Sequence, residues 1–157
     1  MKIARITLSD RASAGVYADR SGPEIERVWA ELHGAPVDWL SVVIPDDQTS
    51  ISAALREYSD VLGCDLILTT GGTGPSPRDV TPEATRAVIE RELPGFGEVM
   101  RMVSYAKVKT AILSRSTAGT RGRTLIVNMP GNPRAIGECL PLVYPAILEA
   151  VRHLRGE

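Results

Sequence analysis

The residues with the clearest chemical potential lie in one stretch, Thr69-Thr70-Gly71-Gly72-Thr73-Gly74-Pro75-Ser76-Pro77-Arg78-Asp79. Glycines at Gly71, Gly72 and Gly74 free the backbone for positive φ and let its N–H groups close around an anion. The pattern is neither GxGxxG nor a Walker A loop, because no Lys-Ser/Thr follows it. Taken alone it fits a tight strand-to-helix turn as well as a phosphate cradle. Asp79 adds a hard carboxylate, suited to a divalent cation such as Mg2+, or to a helix start or an ion pair with Arg78. Asp46 and Asp47 follow an earlier apolar run, where acids also suit the positive end of a helix. Acids from two strand ends flanking a glycine-rich loop point together to a metal–phosphate site.

Other polar residues are suggestive in company. Ser9, Asp10 and Ser13 follow the first apolar run, with Asp19, Arg20 and Ser21 beyond them. Ser114-Arg115-Ser116, with Arg121 and Arg123, offers guanidinium groups that suit bidentate phosphate binding, although scattered surface arginines are common. His33 and His153 fall in helical stretches without partners, so no Ser-His-Asp set arises. Cys64 and Cys139 have neither metal-ligand spacing nor a disulfide framework and read as reduced thiols. With one Phe, four Tyr and two Trp, stacking platforms for single-stranded nucleic acid are not expected.

These residues need elements to position them, and strand and helix signals alternate along the chain. Ile3, Ile6 and Leu8 mark a first strand, followed by a polar loop from Ser9 to Ser21. Ser21 and Glu24 fit a capping box for a helix that Gly34 stops. Val37 to Ile44 reads as a second strand, and Thr49 or Ser50 starts a helix ending at Gly63. Leu66 to Leu68 is a short buried strand. Thr81 is placed to cap a helix with Pro82 as its first residue, and Gly95 to Tyr105 reads as another. Late strands are expected around Thr110–Leu113 and Thr124–Asn128. Asn132 caps a last helical region, which Pro141 and Pro145 are expected to kink or split. The resulting class is α/β: three layers, a mostly parallel sheet with helices on both faces. Ligands on such sheets bind beyond the strands' carboxyl ends. The polar and glycine-rich loops after Leu8, Ile44, Leu68 and Asn128 all fall there.

The 157 residues suit one domain, 1–157. Eighteen Lys+Arg against nineteen Asp+Glu give a net charge of −1, which argues against nonspecific nucleic-acid or anionic-membrane binding. The start, MKIARITLSD, does not read as a signal peptide. No run approaches the ~20 apolar residues of a membrane span, so a cytoplasmic location is expected.

Taken together, the motifs resemble the molybdopterin adenylyltransferase family, which includes a bacterial enzyme of molybdenum cofactor synthesis and the G domains of its plant counterpart and of gephyrin. The resemblance runs through Leu8-Ser9-Asp10, Ser13-Ala14-Gly15, Asp19-Arg20-Ser21-Gly22-Pro23 and Ile44-Pro45-Asp46-Asp47. Its centre is TTGGTGPSPRDVTPEAT, Thr69 to Thr85. It continues through Leu93-Pro94-Gly95-Phe96-Gly97, Ala111-Ile112-Leu113-Ser114-Arg115, Ala118-Gly119 and Asn128-Met129-Pro130-Gly131-Asn132-Pro133. The resemblance implies a molybdopterin-binding G-domain fold, a homotrimer, and Mg2+-dependent transfer of AMP from ATP to the terminal phosphate of molybdopterin. Pyrophosphate leaves, and the product passes to a separate molybdenum-insertion protein. The resemblance matches Asp46 and Asp79 to the catalytic, metal-holding acids. It matches Gly71, Gly72, Thr73 and Gly74, with Asn128, Met129, Pro130 and Gly131, to the nucleotide loop. Ser9, Asp10, Ser13, Arg20, Ser114 and Arg115 fall to molybdopterin. A paralogous, non-catalytic binding or scaffold module is the alternative. A nicotinamide dehydrogenase would need GxGxxG after the first strand, where Ser9-Asp10-Arg11-Ala12-Ser13 stands instead.

Overall fold

In the computed structural model, which describes residues 1–157, the apolar runs become six strands: β1 (Lys2–Leu8), β2 (Asp38–Ile44), β3 (Leu66–Thr70), β4 (Arg91–Glu92), β5 (Ala118–Arg121) and β6 (Thr124–Met129). They form one sheet in the order β2-β1-β3-β6-β5-β4. β2, β1, β3 and β6 run parallel; β5 and β4 add an antiparallel edge.

Strand alternation divides the core into two layers. Ile3, Leu66, Leu68, Leu125, Val127 and Met129 pack on one face against α2 (Ser21–His33), α5 (Gly95–Lys107) and α6 (Pro133–Arg155). Ala4, Ile6, Leu8, Ile67 and Ile126 pack on the other against α3 (Gln48–Arg56) and α4 (Thr81–Arg86). Helices therefore cover both faces, as expected.

Several local expectations change. A short helix, α1 (Asp10–Ser13), occupies the expected polar loop; Ser9 caps it by accepting from Ala12 N. Ser21 is not a cap. It is the first residue of α2, and Asp19 Oδ1 accepts the Gly22 N–H at 3.0 Å instead. Thr81 likewise opens α4 rather than capping it, and its hydroxyl turns back to Gly71 O at 2.9 Å. Asp47, not Thr49 or Ser50, caps α3, accepting from Ser50 N at 2.8 Å. The expected strand around Thr110–Leu113 is a 3-10 turn, Lys109–Leu113, with Ile112 and Leu113 exposed. Three apolar residues with no strand to pair with do not commit to a sheet. α6 remains one helix despite Pro141 and Pro145. The two prolines are four residues apart on the exposed stripe. The missing N–H groups therefore fall on the solvent side, where water serves the carbonyls they leave unpaired.

Candidate active site

Sheet register aligns the carboxyl ends of the four parallel strands: Leu8 lies beside Ile44, Thr7 beside Thr70, and Thr70 beside Met129. The loops that follow converge around a cleft of about 590 Å3, whose lining includes Ser9, Arg20, Asp46, Gly71, Gly72, Asp79 and Gly131.

The glycine loop is shaped by close approach. Gly71 and Gly72 have φ of +97° and +65°. A Cβ on Gly71 would collide with Leu8 O, and one on Gly72 would collide with Thr81 Oγ1 and lie 3.0 Å from Asp46 Oδ1. Gly131 allows its own loop within the same space: a Cβ there would lie 3.2 Å from Gly71 Cα. Thr81 fastens the loop, donating its N–H to Gly72 O (3.1 Å) and its hydroxyl to Gly71 O. No protein acceptor takes the N–H groups of Gly72, Thr73 or Gly74. Such a run of free amides is suited to phosphate oxygens.

The acids meet here from separate strand ends. Asp10 and Asp46 brace each other: Asp10 N donates to Asp46 Oδ2 and Asp46 N to Asp10 Oδ1, both at 3.0 Å. Arg78 donates to Asp10 Oδ2 from Nε and Nη2 at 3.0 and 2.7 Å. The Arg78 hydrogen bonds and the Asp46 N–H hold the Asp10 carboxyl below its ordinary value. Asp46 goes the other way. Burial pushes its carboxyl up, and the charges of Asp10 and Asp79 add to this, against the Asp10 N–H. Asp79 is steadied by Ser76 N, which donates to its Oδ2 at 3.1 Å.

No group of three or more His, Cys, Asp or Glu side chains forms a complete metal cage. The arrangement nevertheless fits Mg2+, which keeps several waters and is commonly bound through one or two carboxylates plus substrate phosphates. Asp46 and Asp79 line the same cleft, and their mutual repulsion is what a cation between or beside them relieves.

The remaining residues of interest divide. Ser9 and Arg20 line the cleft; Ser9 Oγ also meets Tyr17 OH at 2.9 Å, and Arg20 is exposed without an ion-pair partner. Ser13 Oγ donates to Asp10 O within α1. Ser114, Thr73 and Pro130 line a second cleft of about 260 Å3, which meets the first at Gly131. Asn128 and Met129 are fully buried and line neither cleft. Asn128 donates to Thr69 Oγ1 and Thr85 Oγ1, so its amide joins β3, β6 and α4. Arg115 also lines neither cleft; its guanidinium is engaged by Gly74, Asp79 and Glu83. Among the lining residues not singled out from the sequence as ligand contacts are Tyr17 and Asp19. Tyr17 could have been found only as an aromatic within a polar loop. Asp19 receives Thr7 Oγ1 and Arg5 Nη1, both at 2.8 Å, and so anchors the loop that carries Arg20.

Comparison with known proteins places relatives along nearly the whole chain. A family model described as a probable molybdopterin binding domain matches residues 4–149. The chain is 50% identical over 154 residues to a molybdopterin adenylyltransferase of Helicobacter pylori strain J99, covering 98% of this chain and 88% of that one. It is 46% identical over 153 residues to the molybdopterin adenylyltransferase of Escherichia coli K12, covering 98% and 78%. The crystal structure of the molybdopterin biosynthesis enzyme MoaB from Thermus thermophilus superposes with a TM-score of 0.90 at 42% identity, covering 99% of this chain and 97% of that one. Matching the family model over residues 4–149 and these proteins over nearly its whole length, the chain belongs to the molybdopterin-binding domain family.

Proposed function

We propose that this chain is a molybdopterin adenylyltransferase, which moves AMP from ATP to the terminal phosphate of molybdopterin. The observation that supports this most is the pair of carboxylates, Asp46 and Asp79, lining one cleft with Gly71 and Gly72, where the run of free glycine-loop amides begins. A terminal-phosphate oxygen of molybdopterin attacks the α-phosphorus of ATP. A P–O bond forms, the bond to the α,β-bridging oxygen breaks, and pyrophosphate leaves. The nucleophile is already an anion, so no strong base is required, and positioning with charge neutralisation supplies most of the catalysis. The Gly72, Thr73 and Gly74 amides would take phosphate oxygens, with Pro130 and Gly131 bounding the loop; buried Asn128 and Met129 support that pair from within β6. Asp46 and Asp79 would hold Mg2+, which neutralises charge growing on the phosphates. Ser9 and Arg20 in the first cleft, Ser114 in the second, and the α1 residues Asp10 and Ser13, which line neither, are the groups we assign to molybdopterin. The product would pass to a molybdenum-insertion protein, and the enzyme would act in the cytoplasm as a homotrimer.

The test is incubation of the protein with molybdopterin and Mg-ATP, followed by mass detection. Adenylylated molybdopterin with stoichiometric pyrophosphate is the expected result. Binding of both ligands without product would favour a non-catalytic module.

A further inference from the structure

Arg115 follows the 3-10 turn, and its polar contacts all run to the glycine loop, Asp79 and Glu83. Its backbone N–H donates to Thr73 O at 2.8 Å. Nε donates to Gly74 O at 2.9 Å and Nη2 to Asp79 O at 2.7 Å. Nη2 also reaches Glu83 Oε2 at 3.4 Å, while Nη1 pairs with Glu83 Oε1. The guanidinium therefore grips both ends of the Gly74–Asp79 segment and anchors them to the first turns of α4. Between those ends Pro75, Ser76, Pro77 and Arg78 are all exposed, so the core does not fix the segment. Local hydrogen bonds between Ser76 and Asp79 shape its turn; beyond Arg115, its side-chain tie to the rest of the molecule is the exposed Arg78–Asp10 pair. Of the five donors on a guanidinium, four contacts are already made.

We propose that Arg115, with Glu83 as its counter-anchor, is a positioning residue for the adenylyl-transfer site. It sets the glycine loop and Asp79 against Asp46 and acts through them, without touching molybdopterin. The inference rests on the reading of Asp79 as a cation-holding acid. A lysine does not replace it, because an ammonium is a point charge and cannot serve three acceptors in a planar fork.

The experiment compares wild-type protein with Arg115→Lys, Arg115→Met and Glu83→Gln. The first readout is amide hydrogen exchange of Ser76, Arg78 and Asp79, the hydrogen-bonded amides of the segment, in ligand-free protein. Exchange there is expected to rise in all three variants, most in Arg115→Met, while β3 and β6 stay protected as the control for folding. The second is Mn2+ binding with a non-hydrolysable ATP analogue, followed by electron paramagnetic resonance; weakening of about 10–100-fold is expected, as when a partner orienting a metal ligand is removed. The third is kinetic: kcat falls while the KM for molybdopterin stays within about twofold, as for a group that does not bind that substrate. Unchanged exchange and Mn2+ affinity, with a raised KM for molybdopterin, would overturn the proposal and make Arg115 a direct substrate ligand. If the wild-type protein forms no adenylylated product, the functional reading fails on its own, and the exchange measurement still decides whether Arg115 is the clamp.

Discussion

At Asp46, stability and the proposed function pull in opposite directions. Its carboxylate is half-buried and faces the charges of Asp10 and Asp79, so its folded pKa lies above the ordinary value of 3.8. Between those two values the native state binds more protons than the unfolded chain, so stability falls as pH rises through that window. At neutral pH the ionised group is a net cost. Asp46→Asn keeps an oxygen that can accept the Asp10 N–H. In metal-free buffer it is therefore expected to melt above the wild type at pH 7, with the gain shrinking as pH falls toward the ordinary carboxylate range. Transfer activity should drop by about 100-fold or more, the scale for losing a group that stabilises developing charge. Calorimetric melts across pH, alongside turnover, check both halves. Gly72 is a second case. Alanine there meets Thr81 Oγ1 and must hold φ near +65°, a strain of about 1–2 kcal/mol. Gly72→Ala is expected to weaken ATP binding by titration calorimetry, and unchanged affinity would remove the loop from the site. The glycines and acids were legible in the sequence because their chemistry is carried by residue type. Arg115 was not, because its acceptors lie 32 to 41 positions away. Nothing local distinguishes a guanidinium that faces ligand from one that faces its own backbone.

Among the elements, the neighbours Asp46 and Asp47 show how one strand end serves two purposes. Asp47 accepts both the N–H and the hydroxyl of Ser50, at 2.8 and 2.6 Å, and caps α3. Asp47→Ala is expected to cost about 1 kcal/mol of stability in chemical denaturation while turnover is retained. A loss of activity like that of Asp46 variants would return Asp47 to the site. At the opposite end of the sheet, Asp65 ties the starts of β1 and β3 to the end of α6, accepting from Lys2 N at 2.8 Å and pairing with Arg155 at 2.7 Å. Burial alone would raise its carboxyl, but the Arg155 guanidinium and Lys2 N–H outweigh it and hold it below the ordinary range. The stabilisation is present above the unfolded pKa and is lost as pH falls through the folded one. Asp65→Asn should therefore flatten the acid limb of the stability curve, measured by denaturant midpoint against pH. The parallel strands and long helices were legible because each carries an apolar stripe of its own. β4, with two exposed residues, and β5, Ala-Gly-Thr-Arg, carry no such stripe. Their pairing is set by the β6 edge they complete, a tertiary cause that a local pattern does not contain.

The molecule as a whole leaves one surface unexplained by its own core. Val99, Met102, Val103 and Tyr105 on α5, Val108, Ile112 and Leu113 after it, and Leu142 on α6 are all exposed, Met102 at 73% and Ile112 at 66%. Beside them Leu93, Phe96, Val99, Leu142, Val143 and Ala146 line an apolar depression of about 330 Å3. The first cleft lies at the carboxyl ends of the strands and uses none of these residues. Clustered apolar exposure on this scale marks an interaction face. The homotrimer implied by the family resemblance supplies an occupant: further copies of this chain. Burying the patch between copies would leave the first cleft of each open, while Val108 brings the interface to the edge of the second. The expected solution mass is about 51 kDa for three copies of a 16.9 kDa chain in closed symmetry, read by light scattering at micromolar concentration. Leu142→Glu places a charge in the depression of every copy. Each would be desolvated without a partner on assembly, a cost of several kcal/mol per buried ion, so the variant is expected to run as a folded monomer near the mass of one chain. A monomeric wild type would end the trimer reading. A trimer that survives both Leu142→Glu and Val99→Glu would move the interface off the α5–α6 face.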